Sequence, residues 1–298
     1  MLELLSPAGS PEAVIAAVQN GADAIYMGMG NFNARRSAKN FTDEEFEKAI
    51  GYCRIRGCKV YVALNTLVGD REMEAAVAAA RLASQGGADG LIVQDLGLVR
   101  AVRQALPDIP IHASTQMSIH NLAGVEAAAE MGLTRAVLAR ELSLEQIKFI
   151  TKHASIETEV FVHGALCFCH SGQCYMSSLI GRRSGNRGMC AQPCRMQYSL
   201  GGRMDDYPMS LKDNCLVDRL QELEDAGVAC VKIEGRMKRP EYAAIVTKIY
   251  SKAIKEQRQP SMEEMLSLER AFSRQGFTQG YFTGDRQDMF GIRQEQDK

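Results

Sequence analysis

The sequence predicts a (β/α)8 barrel of the TIM type. Short apolar runs of strand length alternate with amphipathic runs of helix length from the first residue onward, and eight such pairs can be followed along the chain. The helix boundaries agree with this alternation, because Thr42 and Ser143 begin capping boxes and glycines follow the helical runs. Eight strands that are each followed by a helix predict a parallel barrel whose active site is built from the loops after the strands.

The predicted strands are short, mostly apolar runs that end in polar residues. They are Leu2 to Ala8, Asp23 to Met29, Lys59 to Asn65, Gly90 to Asp95, Pro110 to Gln116, Arg135 to Arg140, Ile156 to Gly164 and Cys230 to Arg236. The predicted helices repeat apolar residues at spacings of three and four, as Phe46, Ile50 and Cys53 do. They are Pro11 to Asn20, Thr42 to Arg56, Arg71 to Gln85, Leu96 to Leu106, His120 to Met131, Ser143 to His153, Val217 to Ala226 and Pro240 to Glu256.

The barrel is expected to span residues 1–257 and to carry one long insertion, the Cys-rich segment, at residues 165–215. About 50 residues stand there after the seventh strand, where a loop of roughly 2 to 6 residues is usual. An insertion of that size in a barrel favours a role in the active site. Residues 258–298 are interpreted as a C-terminal extension that forms an ordered lid or leads into a further domain.

Composition narrows the class of protein. The chain is 46% hydrophobic and 24% charged, as ordinary globular proteins are, and its formal net charge of −1 excludes a globally basic nucleic-acid binder. The N-terminal residues carry an acidic side chain, and no apolar run approaches the roughly 20 residues that span a bilayer. We therefore expect a cytoplasmic protein with no membrane partner.

The cysteines are unevenly distributed. There are nine, an odd number in a chain without an export signal, which favours free thiols or metal ligands over disulfides. Five lie within the Cys-rich segment before its last cysteine, Cys215; they are Cys167, Cys169, Cys174, Cys190 and Cys194. Their wide spacing lacks the paired knuckles of structural zinc sites and favours an iron–sulfur cluster, with zinc as the alternative. Cys53, Cys58 and Cys230 are interpreted as small buried residues.

Polar residues alternate along several predicted strands, and side chains that alternate along a strand share a face. The inward sets are Lys232, Glu234 and Arg236 on the eighth strand, His112, Ser114 and Gln116 on the fifth, and Glu157, Glu159 and His163 on the seventh, with Arg140 at the end of the sixth. They predict a chamber for a small anionic ligand, because guanidinium groups hold carboxylates bidentately. The alternative is internal ion pairing, for example of Lys232 with Glu159 or Glu234. A Schiff-base role for Lys232 is disfavoured because it has no clear acid–base partner.

The Cys-rich segment also has a basic character. Between Ala165 and Met204 there is no acidic residue, whereas five arginines occur, Arg182, Arg183, Arg187, Arg195 and Arg203, with Phe168, Tyr175 and Tyr198 among them. This pattern suits either a solvated face or an RNA strand, whose phosphates bind cations and whose bases stack on aromatic rings.

The run EVFVHGALCFCHSGQCYMS, together with LLSPAGSPEA, HASTQMSIHN, GNRGMCAQPCR and VKIEGRMK, resembles the bacterial collagenase-like peptidase family over nearly the whole chain. The resemblance implies a barrel and, in several branches, oxygen-independent hydroxylation of a tRNA uridine or a ribosomal RNA cytidine. The RNA-directed branches are linked to prephenate, and several members hold a 4Fe-4S cluster.

Carried onto this chain, the resemblance implies cluster ligands at Cys167, Cys174, Cys190 and Cys194, with Cys215 competing for the fourth place. Catalytic roles are expected for Glu159, His163, His112 and Lys232, and ligand-binding roles for Gln116, Arg140, Glu234 and Arg236. The expected function is an RNA hydroxylase whose partners are tRNA or ribosomal RNA and a carboxylated metabolite.

Two other functions stay open. A peptidase would need a cysteine route that pairs Cys167 or Cys174 with His163, because neither H-E-x-x-H nor G-x-S-x-G occurs in the sequence. A non-enzymatic reading is a zinc-stapled scaffold that binds a partner.

Overall fold

The computed structural model describes residues 1–30, 32–34, 41–200, 203–274, 276–287 and 289–291. The strands are β1 (Glu3–Pro7), β2 (Ala24–Gly28), β3 (Lys59–Leu64), β4 (Gly90–Val93), β5 (Ile111–Ala113), β6 (Arg135–Val137), β7 (Glu157–Gly164), β8 (Tyr198–Leu200), β9 (Arg203–Asp206), β10 (Asp213–Cys215), β11 (Cys230–Ile233) and β12 (Phe277–Thr278). The helices are α1 (Pro11–Gln19), α2 (Asp43–Arg54), α3 (Met73–Gly86), α4 (Leu96–Ala105), α5 (Leu122–Glu130), α6 (Leu144–His153), α7 (Met176–Gly181), α8 (Leu220–Asp225), α9 (Pro240–Glu256), α10 (Met262–Ala271) and α11 (Gly280–Thr283).

Strands β1 to β7 and β11 form the predicted barrel. Each of β1 to β6 pairs in parallel with the next strand, and β11 closes the sheet by pairing in parallel with both β7 and β1. The capping boxes at Thr42 and Ser143 are both formed and begin α2 and α6. The TIM-like fold class is therefore confirmed.

Two layers of apolar side chains hold the barrel together. The larger lies between the strands and the surrounding helices and includes Leu4, Val62 and Phe46. The smaller is formed by residues that include Leu5, Tyr61 and Cys230. The cysteines predicted to be small core residues are buried, with relative exposures of 0% for Cys53, 5% for Cys58 and 0% for Cys230.

The pairing of β7 with β11 contains an irregularity that matters for the site. Lys232 lies opposite Phe161, but the next residue, Ile233, lies opposite His163, so Val162 is an extra residue in β7. A bulge of this kind interrupts the alternation of side chains along a strand. Glu159 and His163 consequently face different surroundings, although regular alternation predicts that they share a face.

The Cys-rich segment leaves the barrel after β7 and returns to it as β10, which pairs antiparallel with β7 through Asn214 and Cys215. Strand β12 pairs in parallel with β10, so Phe277 and Thr278 of the predicted C-terminal extension pack against the end of this segment. Residues 292–298 of that extension lie outside the described residues. Within the described ranges, no helix is both long and apolar enough to cross a bilayer.

Candidate active site at the mouth of the barrel

The lower half of the barrel interior contains an ion network. Lys232 Nζ lies 2.9 Å from Glu159 Oε1, and Arg135 Nη1 lies 3.5 Å from the other oxygen of that carboxylate. Arg135 also contacts Glu3 at 2.6 Å and Glu157 at 2.7 Å. Because Glu3, Arg135 and Glu157 begin their strands, the network lies at the end of the barrel opposite the strand-following loops.

The charges of the network are mutually compensated. Burial raises the pKa of Glu159, but the neighbouring Lys232 and Arg135 outweigh it, so the pKa is lowered and the carboxylate stays ionised. Burial likewise opposes ionisation of Glu3, yet the hydrogen bond from Arg135 lowers its pKa to about 2. Lys232 also lies 4.4 Å from the centre of the Tyr26 ring. Lys232 and Glu159 thus form the internal ion pair that the sequence analysis gave as an alternative. They lie toward the end of the barrel where the residues of TIM barrels usually contribute to stability and not to catalysis.

His112 borders this network. Its ring stands edge-on to Tyr61, with ring centres 4.6 Å apart, and its side chain is buried. Burial, followed by the charge of Arg135, lowers the pKa of His112 to about 3, so the imidazole is neutral. Its Nδ1 has no hydrogen-bond partner among the described residues.

The opposite end of the barrel presents two guanidinium groups. Arg140 Nη2 lies 3.2 Å from Glu234 Oε2, and its guanidinium carbon lies 4.1 Å from the centre of the Phe161 ring. Arg236 is buried and donates from Nη2 to Asn33 Oδ1 at 3.2 Å. Gly28 leaves room for it, because a Cβ there would come within 2.5 Å of Arg236 Nη1.

Amide side chains form the other wall at this end of the barrel, which is called the mouth from here on. Gln116 donates from Nε2 to the carbonyl of Asn65 at 3.2 Å, and Gln94 donates to the carbonyl of Gln116 at 3.5 Å. Two buried oxygens, Gln94 Oε1 and Thr115 Oγ1, have no hydrogen-bond partner in the described part of the chain. Buried polar atoms normally have partners, so these atoms and the guanidinium groups suit a polar ligand.

The Cys-rich segment is docked on this same mouth. A Cβ at Gly172 would approach the Gln116 carbonyl oxygen to 2.1 Å, and the φ of Gly172 is +75°, so only glycine fits. The Ser118 hydroxyl donates to the carbonyl of Ser171, whose own amide donates to Glu141 at 2.9 Å. Arg140 Nη1 lies 3.9 Å from Cys167 Sγ. The thiols therefore stand at the end of the barrel that carries Arg140.

The thiols of the segment influence one another. Cys167 and Cys190 are exposed, whereas Cys194 is half-buried. Burial raises the pKa of Cys194, and the nearby thiols of Cys167 and Cys190 raise it further. Burial also raises the pKa of Cys169, which lies beside Cys174. Among the described residues, no three Cys, His, Asp or Glu side chains are arranged as ligands of one metal ion.

Arg195 connects the two halves of the segment. Its Nη2 lies 2.5 Å from the carbonyl oxygen of Leu166, and its Nη1 contacts the Leu211 carbonyl at 2.8 Å and the Ser210 hydroxyl at 3.1 Å. The guanidinium is buried. Because Leu166 precedes Cys167 and Arg195 follows Cys194, one side chain fixes the separation of two thiol-bearing loops. Its placement in a basic face directed at RNA is therefore wrong.

The remaining arginines of the predicted basic face differ in surroundings. Arg187 contacts Glu72 at 2.6 Å and is partly shielded, whereas Arg182 and Arg183 are exposed. Arg203 lies outside the side chains that the structure describes.

His163 and Cys215 lie in the barrel wall. His163 Nδ1 lies 3.2 Å from the Tyr250 hydroxyl, and the ring packs against Tyr242 and Phe277. Burial lowers the pKa of His163 to about 3, so it is neutral. Cys215 Sγ contacts the same Tyr250 hydroxyl at 3.7 Å, and burial raises the pKa of this thiol to about 11. The structure thus brings the side chains of Arg140, Glu234 and Cys167 together. His163 accepts from the Glu234 amide through its backbone carbonyl at 2.9 Å, but its ring is directed at Tyr250.

Comparison with known proteins places this architecture in a family. The model of peptidase family U32 matches residues 9–290. The chain belongs to peptidase family U32. The resemblance recognised in the sequence is thereby confirmed.

The relatives of this U32 chain have names that refer to different activities. It is 39% identical over 295 residues to the "23S rRNA 5-hydroxycytidine C2501 synthase" of Escherichia coli, covering 97% of this chain and 44% of that protein. It is 35% identical over 264 residues to "tRNA hydroxylation protein P1" of Bacillus subtilis, covering 85% and 63%. It is 33% identical over 310 residues to the "Collagenase" of Porphyromonas gingivalis, covering 95% and 74%. The chain thus spans about half to two thirds of the length of the two RNA-directed relatives.

Several residues of this U32 site were not found from the sequence. Asn33 accepts a hydrogen bond from Arg236, and the Phe161 ring packs against the guanidinium of Arg140. The position of Asn33 in the loop after β2 was an available signal, since barrel sites are built from such loops. Phe161 alternates with Glu159 on β7 and could have been inferred from that spacing.

Proposed function

We propose that this chain is the barrel part of an RNA-modifying enzyme that hydroxylates C5 of a pyrimidine in tRNA or ribosomal RNA without molecular oxygen. The supporting observation is the docking of the Cys-rich segment on the mouth, where Arg140 contacts both Glu234 and Cys167. The names of the Escherichia coli and Bacillus subtilis relatives support RNA hydroxylation over proteolysis.

The mouth is suited to a small carboxylated co-substrate, for which we propose prephenate or a similar metabolite. Arg236 and Arg140 supply guanidinium groups that can hold carboxylates through paired hydrogen bonds. Gln94 Oε1 and Thr115 Oγ1, which have no partner among the described residues, can accept from its hydroxyl. Glu234 would keep Arg140 oriented before the ligand enters.

We further propose that Cys167, Cys174, Cys190 and Cys194 hold a 4Fe-4S cluster. The donor chemistry fits, because thiolates are the usual ligands of such clusters and the thiols lie in one segment at the rim. A bound cluster would supply redox or Lewis-acid chemistry at the mouth. The chain's own contribution is to hold the Cys167 thiol beside Arg140, at the end of the barrel that carries the proposed carboxylate-binding side chains.

The cysteine-peptidase alternative receives less support from the contacts. His163 hydrogen-bonds with Tyr250 in the wall, and no described hydrogen bond joins it to Cys167 or Cys174. A nucleophile and its base must come within hydrogen-bond reach of each other. This alternative is still tested below because the Porphyromonas gingivalis relative is named "Collagenase".

Two measurements test the proposal. Protein purified without oxygen should contain about four iron and four sulfide per chain and absorb in the visible region, and Cys167→Ser should lose both, whereas Cys169→Ser should keep them. Zinc without colour would favour the scaffold reading. Nucleosides from a strain that lacks this protein should lose one hydroxylated pyrimidine, which returns with the wild-type gene but not with Cys167→Ser. Unchanged nucleosides together with gelatin cleavage that requires Cys167 would favour the peptidase.

A further inference from the structure

Exposed apolar side chains are concentrated on the Cys-rich segment. Leu179 and Ile180, near the end of α7, have relative exposures of 85% and 67%. Four other large apolar residues of the same segment are also exposed; they are Phe168, Tyr175, Met189 and Met196. Scattered exposed apolar residues need no explanation, but Leu179 and Ile180 are adjacent in the chain and both largely exposed, and a local apolar patch of this kind often marks an interaction site.

Between Ala165 and Met204, the part of the segment that contains this group, every Asp, Glu, Lys or Arg position is an arginine. Arg182 and Arg183 directly follow α7 and are exposed, and no acidic residue occurs between Ala165 and Met204. The turn is fixed, because Arg182 adopts a φ of +54° and the Ser178 hydroxyl donates to the Arg183 carbonyl at 3.3 Å. An apolar tip with adjacent guanidinium groups is complementary to a single-stranded nucleic acid, which offers base faces and phosphates together.

Ser177, in the first turn of α7, faces the thiol of Cys190. The Ser177 hydroxyl is buried, accepts from the amide of Ala191 at 3.1 Å and lies 4.0 Å from Cys190 Sγ. Leu179 and Ile180 consequently project from a helix whose inner side borders the proposed cluster site.

We propose that Leu179 and Ile180 form an apolar wedge that packs against the RNA base next to the target pyrimidine, while Arg182 and Arg183 bind the flanking phosphates. The inference rests on the proposed RNA substrate. A base modified inside a protein pocket must leave its stack, and apolar side chains commonly fill the space beside unstacked bases. The wedge would thus keep the target pyrimidine available to the mouth.

The wedge is tested with a single-stranded RNA oligonucleotide that carries 2-aminopurine beside a pyrimidine. Wild-type protein should increase the 2-aminopurine fluorescence, and Leu179→Ser combined with Ile180→Ser should abolish that increase and weaken binding about 10-fold. The matched control is Ile55→Ser, which changes an equally exposed apolar residue, 83% exposed, just after α2. It should leave both signals unchanged.

The arginines have a distinguishable effect. Arg182→Gln with Arg183→Gln should weaken binding and reduce the slope of log K against log salt by about 1 to 2, but should keep the 2-aminopurine response at saturation. Metal content and thermal stability should be unchanged in all of these variants.

Three outcomes would overturn the wedge: equal fluorescence and affinity in the Leu179 and Ile180 double variant, an equal loss in Ile55→Ser, or a change of oligomeric state in the double variant alone. The last would assign the surface to a second copy of the chain. Unchanged hydroxylated pyrimidines in a strain that lacks this protein, with the fluorescence response of the purified protein intact, would instead refute the proposed chemistry and leave the wedge standing.

Discussion

Replacing Glu159 by Gln distinguishes a structural carboxylate from a catalytic one. The substitution keeps the shape of the side chain but removes the anion that lies 2.9 Å from Lys232 and 3.5 Å from Arg135. Both cationic side chains are 5% exposed, so water cannot replace the lost charge. Breaking a buried ion pair in this way costs roughly 3–5 kcal/mol, a large part of the 5–15 kcal/mol by which domains are usually stable.

The effect should depend on pH in a defined direction. Lys232 and Arg135 lower the pKa of Glu159 against the effect of burial. Its stabilising contribution is therefore fully present above the unfolded-state pKa of about 4.3 and is lost as the pH falls through the lower folded-state pKa. The difference in unfolding free energy between wild type and Glu159→Gln should be constant at neutral pH and shrink in strong acid.

Urea unfolding at pH 7 and at acidic pH measures this difference. Glu157→Gln is the matched control, because the same change is made two residues away on β7 at a side chain that is 56% exposed. It should cost at most about 1 kcal/mol. In the double variant with Lys232→Met, part of the lost stability should return, since the uncompensated ammonium is gone. A Glu159→Gln protein of wild-type stability that has lost RNA hydroxylation would refute the structural assignment and support the catalytic role expected from the sequence.

Three further predictions concern the wall and the Cys-rich segment. Arg195→Lys should keep the barrel folded but increase the reaction rate of Cys194 with a thiol reagent. The reason is that an ammonium group cannot reproduce the contacts of the guanidinium to the carbonyls of Leu166 and Leu211. Unchanged rates would contradict the role of Arg195 in fixing the two thiol-bearing loops. His163→Phe should reduce the loss of unfolding free energy on acidification by about 1.4 kcal/mol per pH unit below pH 6.5. The reason is that burial lowers the pKa of His163 in the folded state to about 3, whereas the unfolded chain takes up a proton. If urea titrations at pH 7 and pH 5 gave the same change in unfolding free energy for wild type and variant, this prediction would be wrong. Gly172→Ala should lower the metal content of the protein and leave the thermal midpoint of the barrel nearly unchanged. The reason is that the added Cβ must push the Cys-rich segment away from Gln116. Full metal occupancy in this variant would show that metal binding does not need this contact.

The barrel itself could be predicted because its determinants are local. Strand and helix periods, capping boxes and glycine stops all lie within a few residues of the elements they define. The ends were less accurate, as the fifth strand shows: it was expected to reach Gln116 but stops at Ala113, because Ser114 caps a short 3-10 turn over Thr115–Met117. The eighth strand likewise stops at Ile233 rather than Arg236, and Gly235 adopts a φ of +149° in the turn that follows.

The site was predictable only as a set of residue types, because its details depend on non-local geometry. Alternation along β7 predicts that Glu159 and His163 face the same side, but the extra residue opposite β11 turns His163 toward Tyr242 and Tyr250. The sequence of β7 alone does not predict this bulge, because the bulge arises from pairing with a strand about 70 residues later. Arg195 is a second case, because its acceptors at Leu166 and Leu211 come from opposite ends of the Cys-rich segment.

Depth along the barrel is the third quantity that the sequence leaves open. Lys232 and Arg236 lie on one predicted face, yet Lys232 is paired in the lower network while Arg236 reaches the mouth beside Asn33. Arg236 lies three residues beyond the end of β11 at Ile233, after the turn at Gly235, so its side chain is displaced from that of Lys232 toward the strand-following end. The strand-following end therefore collects Arg140, Glu234 and the thiols, and the lower network holds the barrel that supports them. Chemistry at this U32 mouth should accordingly tolerate changes in the lower network that preserve folding, but not changes at Arg140.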